Sequence, residues 1–367
     1  MMTTEMTTEI QIDGARFLIN GRPTYQGVTH QGRAIEGLLF NSRMVQATFD
    51  DENPETAAYW CYPDTGVWDP DRNTAEFCAK LSEYRKHGLL AVTVGLQGGG
   101  SIYEPEVYNH YINTAFAPDG ALKPAYADRL KRILAAADEI GMVVIVNYFY
   151  WRQATQLAGD DAVRRATQEA TDWLLQTGYR NILIDVTNEF RAQDGPHPTL
   201  TAANVHQLVE IVQQTTLDGR RLLASASVHP EVFLPQGRWQ EVQDFYLPHG
   251  NDDWADELRV HLRQLKASEA YQKTPRPILI NEDSVYLDSL DAAVDEYTSW
   301  GFYCQGYGCG GGWKHGRYDW LAQDRETRYE DLSGFQTVPV NWGINTAIKR
   351  AFFERVAEIT GQGIVQK

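Results

Sequence analysis

Two glutamates stand at the ends of two similar apolar segments in this sequence. Glu189 ends the run Asn181-Ile-Leu-Ile-Asp-Val-Thr-Asn188-Glu189, and Glu282 ends the run Pro277-Ile-Leu-Ile-Asn281-Glu282. Apolar, β-branched runs of this length that stop at polar residues are typical of buried parallel strands. Two carboxyl groups at strand ends can act as a pair, because one donates a proton while the other attacks or activates water. Cleavage of a glycosidic bond needs such a pair, so the pattern predicts this chemistry.

The composition narrows the classes of partner. The chain has 367 residues and a formal net charge of -16 at pH 7. Phosphate backbones and anionic membranes are bound through Lys and Arg patches, so this charge argues against a nucleic-acid or membrane partner. The chain also has 10 Trp and 19 Tyr, and aromatic rings stack on the apolar faces of sugars. We therefore expect a carbohydrate substrate.

The N-terminus and the metal-binding residue types set further expectations. Residues 1–9 have no basic start followed by an apolar run, and no later run is long enough to span a bilayer, so we expect a cytoplasmic protein. The four cysteines lack a close CxxC pair. The histidines form no metal-binding spacing such as HxH or HExxH. We therefore expect neither a metal site nor a cofactor.

Strand and helix patterns alternate about eight times along the chain, which favours parallel strands closed as a single (β/α)8 TIM barrel over an open doubly wound sheet. We expect residues 1–367 to form this one α/β domain, with a polar tail over residues 1–15 and long loops over the C-terminal face. A small N-terminal hairpin is predicted to turn at Asn20-Gly21. The expected barrel strands are, in order, Thr24–His30, Leu89–Val94, Met142–Asn147, Asn181–Glu189, Arg221–Ser227, Val242–His249, Pro277–Glu282 and Phe302–Tyr307.

The active site of such a barrel lies at the C-terminal ends of its strands. The candidate catalytic residues are therefore Glu189 and Glu282. The candidate substrate-binding residues are the other polar or aromatic residues at or just beyond strand ends: His30, Gln97, Asn147, Tyr148, Asn188, His249 and Trp313. Any single one of these also fits an ordinary loop or capping residue. The two matching Asn-Glu endings are harder to explain in that way.

These endings resemble clan A of the retaining glycoside hydrolases, the cellulase-like superfamily of β/α barrels. In that clan an Asn-Glu pair ends strand four and a Glu ends strand seven. The resemblance implies that Glu189 is the acid/base and Glu282 the nucleophile. It also implies that Asn188 contacts the sugar hydroxyl next to the anomeric carbon.

The sequence departs from the clan pattern at three strand ends. Many members carry an Arg late in strand two, where this chain has Gln97. A Tyr often lies near the nucleophile on strand six, and here we expect His249 to take its place and hydrogen-bond Glu282. The usual Trp of strand eight is replaced by Gly306-Tyr307, with Trp313 a few residues later. The exact family and the sugar therefore stay open.

Two other classes of function fit the same residues. A metal-dependent lyase or isomerase barrel would use Asp185, Glu189 and Glu282 as ligands, although such sites generally draw acidic ligands from neighbouring strands. A barrel that binds glycans without catalysis would keep the aromatic residues. Metal analysis and turnover of aryl glycosides would separate these alternatives.

Overall fold

Small antiparallel sheets precede the main domain. The computed structural model describes residues 8–99, 110–190, 193, 195–229, 233–234, 237–251, 253–305 and 327–362. Strands β1 (Ile10–Asp13), β2 (Arg16–Ile19) and β3 (Arg22–Pro23) form one sheet, and β4 (Thr29–His30) pairs with β5 (Arg33–Ala34). Asn20 and Gly21 connect β2 to β3 with positive φ angles of 53° and 74°. This is the backbone of a tight hairpin turn, and the predicted N-terminal hairpin is confirmed.

A parallel sheet of six strands follows, in the order β10-β9-β8-β7-β6-β11. All of its strand pairs are parallel. The strands are β6 (Asn41–Arg43), β7 (Ala91–Gly95), β8 (Val143–Tyr150), β9 (Ile182–Asn188), β10 (Leu223–Ser225) and β11 (Gly301–Phe302).

Two extended segments complete the ring between β10 and β11. Parallel bridges join Val228 to Pro248 and Tyr246 to Ile278, and a third joins Leu279 to Ser299. We refer to residues 244–249 as the sixth segment and residues 277–282 as the seventh. Because β11 also pairs with β6, the eight segments close on themselves. The predicted α/β barrel is confirmed.

Helices separate most of the barrel segments. No helix in the described ranges is both long and apolar enough to cross a membrane. The helices are α1 (Pro70–Lys86), α2 (Pro124–Glu139), α3 (Trp151–Ala154), α4 (Asp160–Thr177), α5 (His206–Gln214), α6 (Arg238–Val242), α7 (Ala255–Ala267), α8 (Glu269–Lys273), α9 (Leu287–Asp295) and α10 (Ala347–Ile359).

Alternation along the strands divides the core into two parts. Val144 and Val146 of β8 belong to the large outer cluster that also includes residues of the surrounding helices. Val143 and Ile145, one residue out of phase, belong to a smaller inner cluster, as expected from the two-residue period of a strand. Phe17 of the N-terminal sheet is fully buried in this inner cluster. The sheet therefore closes the N-terminal end of the barrel and leaves the opposite end for the site.

The first barrel strand is not where the sequence analysis placed it. We expected Thr24–His30, but the first strand is Asn41–Arg43. Residues 24–30 instead lie under the barrel, where the Tyr25 hydroxyl donates to the carbonyl oxygen of Gly88 just before β7. Three glycines and seven polar residues within 24–37 favour turns there. Leu38, Leu39 and Phe40 form the buried run that leads into the true strand.

Candidate active site

Glu189 follows β9 at the C-terminal end of the barrel. Its φ angle is +50°, a left-handed conformation that is uncommon for a residue other than glycine and that often marks functional sites. The backbone N–H of Glu189 donates to Ser227 Oγ at 3.1 Å. This bond supports the turn at the strand end. The side chain of Glu189 keeps 16% of its surface exposed, so it can reach a substrate.

Glu282 ends the seventh segment, where it forms an ion pair with Arg43 and accepts a hydrogen bond from Asn251. Arg43 Nε lies 2.6 Å from Glu282 Oε2, with side-chain exposures of 2% for Arg43 and 7% for Glu282. Asn251 Nδ2 donates to the other oxygen, Oε1, at 2.5 Å. The loop that carries Asn251 is also anchored through its backbone, because Gly250 N–H donates to the Glu282 carbonyl oxygen at 3.3 Å.

His249 is fully buried between the two glutamates. Its Nδ1 lies 2.9 Å from Glu189 Oε1 and 3.7 Å from Glu282 Oε2. The expected hydrogen bond from His249 to Glu282 is therefore wrong, since the bonded partner is Glu189. The other ring nitrogen, Nε2, lies 2.8 Å from Asn281 Oδ1.

The carboxylate of Asp185 is fully buried in the barrel interior, next to Asn281. Asp185, on β9, accepts hydrogen bonds from Ser227 N–H at 2.8 Å and Ser227 Oγ at 2.9 Å. Asn147 Nδ2 donates to it at 3.1 Å, and Asn281 Nδ2 donates at 3.3 Å. Asn147, predicted to bind substrate, thus lies in the barrel interior and contacts Asp185.

The charges of the site are coupled. Burial disfavours the ionised form of Glu189, but the hydrogen bond and charge of His249, together with Arg43, outweigh burial and hold the pKa of this carboxyl below its ordinary value. Burial also disfavours the imidazolium of His249, yet the two glutamates raise its pKa above the ordinary value. Burial raises the pKa of Glu282, against the opposing charges of Arg43 and His249.

Asn188 lies beside the pair, as predicted from its position before Glu189. Its Oδ1 accepts a hydrogen bond from the Arg43 guanidinium at 2.6 Å. Arg43 thus bridges the Asn188 amide and the Glu282 carboxylate. This arrangement sets the orientation of the Asn188 amide, whose Nδ2 is the donor it can offer a ligand.

Three predicted substrate-binding residues do not reach the site. His30 belongs to the β4–β5 hairpin, where Arg33 pairs with Asp295 at the C-terminal end of α9, on the opposite end of the barrel. The fully buried Tyr148 points outward, with its hydroxyl 3.1 Å from Thr171 Oγ1 on α4.

Gln97 is fully buried, and its amide supports the backbone rather than facing the site. Its Nε2 donates to Thr114 Oγ1 at 2.8 Å, and its Oε1 accepts from Tyr150 N–H at 3.0 Å. Both ends of the amide are therefore occupied. Trp313, the remaining candidate, lies outside the described residues.

Arg43 and Asn251 were missed by the sequence analysis. Arg43 directly follows Asn41-Ser42 after the apolar run Leu38-Leu-Phe40, so a polar ending after a short buried run was the available signal. Asn251 lies in an irregular loop two residues after His249, where no periodic pattern marks it. Its contact with Glu282 depends on how the sixth and seventh segments pair.

One group of potential metal ligands occurs among the residues that the structure describes. Atoms of Glu189, His249 and Glu282 all lie within 4.8 Å of one another. Asp185, which the metal-dependent alternative required, is not part of this group. The Arg43 guanidinium already neutralises Glu282 at 2.6 Å, which reduces the attraction of the group for a cation.

Comparisons with known proteins support the fold. No family model and no curated protein sequence matches the chain. Among solved structures, a GH5-4 broad-specificity endoglucanase from Clostridium longisporum is similar at a TM-score of 0.53 and 11% identity, over 92% of this chain and 99% of that one. The match with an endo-1,4-β-mannanase from Rhizomucor miehei covers 80% of this chain and 89% of that one, with a TM-score of 0.47 and 13% identity.

A similar structure from Bacteroides vulgatus is longer, and this chain covers 48% of its length. A glycoside hydrolase family 5 enzyme from Prevotella bryantii covers 74% of this chain and 89% of its own, with a TM-score of 0.47 and 13% identity. The structural similarity to the GH5-4 endoglucanase, at a TM-score of 0.53, shows that the chain has the same barrel fold as that enzyme.

Proposed function

We propose that this protein is a retaining glycoside hydrolase that cleaves a glycoside or short oligosaccharide by double displacement, without a cofactor. The observation that carries the proposal is the closeness of the two glutamates. An oxygen of Glu189 and an oxygen of Glu282 lie within 4.8 Å of each other. Retaining enzymes hold their carboxyl groups about 5 to 5.5 Å apart, whereas inverting enzymes leave about 6.5 to 9.5 Å for a water molecule.

Glu282 is the nucleophile in this proposal. Its Oε2 forms an ion pair with the Arg43 guanidinium, and its Oε1 accepts a hydrogen bond from Asn251. Burial raises the pKa of this carboxyl, but a protonated Glu282 would direct its O–H toward one of these N–H groups. The contacts therefore fit the carboxylate, which is the form that attacks the anomeric carbon.

Glu189 is the acid/base. In the first step Glu189 takes a proton from the His249 imidazolium and passes it to the departing glycosidic oxygen, and in the second step it accepts a proton from the attacking water. The contact with His249 at 2.9 Å serves both steps, because the pair can hold a proton between Nδ1 and Oε1. Asn188, oriented by Arg43, is positioned to donate to a sugar hydroxyl.

The first substrates to screen follow from charge and from the similar structures. A chain with a net charge of -16 repels polyanions, so neutral sugars are the better candidates. The similar structures described above include an endoglucanase and a β-mannanase. We therefore propose testing dinitrophenyl and nitrophenyl β-glucosides, β-mannosides and their short oligosaccharides.

Azide rescue tests the mechanism and the two roles. With a dinitrophenyl glycoside, which needs no proton for departure, Glu189→Ala should form the glycosyl-enzyme and stall. Azide should then accelerate it and give a product of retained configuration. Glu282→Ala should be inactive until azide attacks directly, giving inverted configuration.

The exposed Glu55 provides a matched control for these variants. Glu55→Ala should hydrolyse the substrates like the wild-type protein, because Glu55 is exposed and lies outside the residues assigned to the site. Exchange of the two azide products would reverse the assigned roles. Full activity in Glu189→Ala or Glu282→Ala would refute the mechanism.

The metal-dependent alternative rests on the closeness of Glu189, His249 and Glu282. If it were correct, the purified protein should contain a stoichiometric divalent metal, and chelation should abolish activity that metal restores. Hydrolysis that persists after chelation in metal-depleted buffer would favour the two-glutamate mechanism.

A further inference from the structure

A chain of hydrogen bonds runs from Asp185 to Glu189 through two other buried side chains. Asp185 Oδ2 accepts from Asn281 Nδ2 at 3.3 Å, and Asn281 Oδ1 faces His249 Nε2 at 2.8 Å. His249 Nδ1 then lies 2.9 Å from Glu189 Oε1. Asp185, Asn281 and His249 are all fully buried, so solvent does not substitute for these contacts.

Asp185 determines which group donates and which accepts in this series of hydrogen bonds. Its carboxylate receives donors from Ser227 and Asn147 as well as from Asn281. Because the Asp185 carboxylate can only accept hydrogen bonds, the Asn281 amide directs its Nδ2 toward Asp185. Its Oδ1 must then face His249, where it can only accept a hydrogen bond.

We propose that Asp185 is a positioning residue that, through Asn281, keeps a proton on Nε2 of His249 and thereby directs Nδ1 at Glu189. The protonation of one imidazole nitrogen is determined by the hydrogen bond that it makes. With Nε2–H committed to Asn281, the only proton that His249 can exchange lies on the side of Glu189. The role of Asp185 in hydrolysis rests on the function proposed above. Its effect on the tautomer of His249 does not.

The charge of Asp185 also favours a proton on the His249–Glu189 pair. Four other charged or titratable groups face this pair: Glu282 and Arg43, which contact its members or each other, and Asp185 and His229, which act on it electrostatically. Asp185→Asn removes one negative charge and leaves the other three groups. The pair should then release its proton at lower pH.

Histidine nitrogen NMR tests the tautomer directly and needs no substrate. In uniformly ¹⁵N-labelled protein, the His249 signals can be assigned by their loss in His249→Asn. In neutral His249 the carboxylate of Glu189 favours a proton on Nδ1, whereas Asn281 Oδ1 favours one on Nε2. We expect the contact from Asp185 through Asn281 to prevail, which gives protonated Nε2 and unprotonated Nδ1. In Asp185→Asn the amide at position 185 can donate or accept, so Asn281 loses its imposed orientation and His249 should show both tautomers or the reverse one.

A charge-exchanged variant keeps the test decisive if Asp185→Asn does not fold. In the double variant Asp185→Asn/Asn281→Asp, the new carboxylate at position 281 accepts from Nε2–H whatever its orientation. It should therefore restore the single Nε2–H tautomer. Asp138→Asn is the matched control, because Asp138 is also a buried aspartate but contacts Thr8 far from the site, and it should leave the His249 signals unchanged.

The outcomes separate this proposal from the proposed function. An unchanged Nε2–H tautomer in Asp185→Asn, or a protonated Nδ1 in the neutral wild-type or charge-exchanged protein, would overturn the positioning role whether or not the protein hydrolyses glycosides. If the protein is a hydrolase, the basic limb of its kcat/KM profile should move down by about one pH unit in Asp185→Asn and return in the charge-exchanged variant. A lower turnover with an unshifted limb would reject this catalytic consequence.

Discussion

Arg43 Nε lies 2.6 Å from Glu282 Oε2, and both side chains are almost completely buried. The same guanidinium donates to Asn188 Oδ1, so one planar cation from the first barrel strand orients the proposed nucleophile and a proposed sugar ligand. A buried charge pair of this kind is weak evidence for stability. We therefore infer that the Arg43–Glu282 ion pair serves the function of the site rather than the stability of the fold.

Arg43→Lys should lower kcat/KM by roughly 100-fold, a loss comparable with removal of one preorganised donor. Lysine keeps the charge, but its single ammonium group cannot hold both Glu282 and Asn188 in the geometry of the guanidinium fork. The measurement is steady-state hydrolysis, with the exposed Arg238→Lys as the matched control. Wild-type kinetics in Arg43→Lys would show that the bridge is not needed.

Asn251→Ala should move the acidic limb of kcat/KM to higher pH. Asn251 donates to Glu282 Oε1 and so favours the carboxylate, which must be ionised to attack. Without this donor the pKa of Glu282 rises, and activity appears only at higher pH. A shift of about one unit is expected. Reduced activity with an unmoved limb would instead indicate that Asn251 acts only in packing of the loop.

The ion pair between His249 and Glu189 predicts a pH window for stability. The pKa of His249 is raised above 6.5, and that of Glu189 is lowered below 4.5. His249, whose pKa is raised, stabilises the fold most at low pH, and this effect is lost as pH rises through its pKa in the folded protein. Glu189, whose pKa is lowered, stabilises the fold above its pKa in the unfolded chain, and this effect is lost as pH falls through its pKa in the folded protein.

The stabilising contribution of the pair should therefore be largest between these limits. Urea unfolding of the wild type and His249→Asn at several pH values would measure it, with the exposed His110→Asn as control. The difference in unfolding free energy should shrink as pH rises above the His249 pKa. A difference that grows with pH would contradict the assigned ion pair.

Phe17→Ala should destabilise the protein by about 3 to 5 kcal/mol while leaving kcat nearly unchanged. Phe17 is fully buried in the inner cluster at the N-terminal end of the barrel, where its ring lies 6.1 Å from that of Phe245. The active-site candidates lie at the other end. Chemical denaturation and hydrolysis would be measured together, with the exposed Val67→Ala as control. A large loss of kcat in folded Phe17→Ala would show that the two ends are coupled.

The sequence by itself determined the barrel class and the two glutamates. The Ile-Leu-Ile runs before Asn188-Glu189 and Asn281-Glu282 have the composition of buried parallel strands, and such strands end in polar residues where they leave the core. Local pattern therefore sufficed to place both carboxyl groups at one end of the barrel. The same reasoning failed for Thr24–His30, because β-branched and aromatic residues such as Tyr25, Val28 and Thr29 also occur in a region rich in turns.

Only the tertiary structure decided which side chains meet these glutamates. Arg43 and Asn251 are 239 and 31 positions from Glu282 in the sequence, and their contacts with it depend on closure of the ring through β11 and β6 and on the register of neighbouring strands. Alternation likewise turned Asn147 into the barrel and Tyr148 toward α4. A shift of one residue in register would exchange such neighbours, and the sequence of a single strand does not specify the register of its partners.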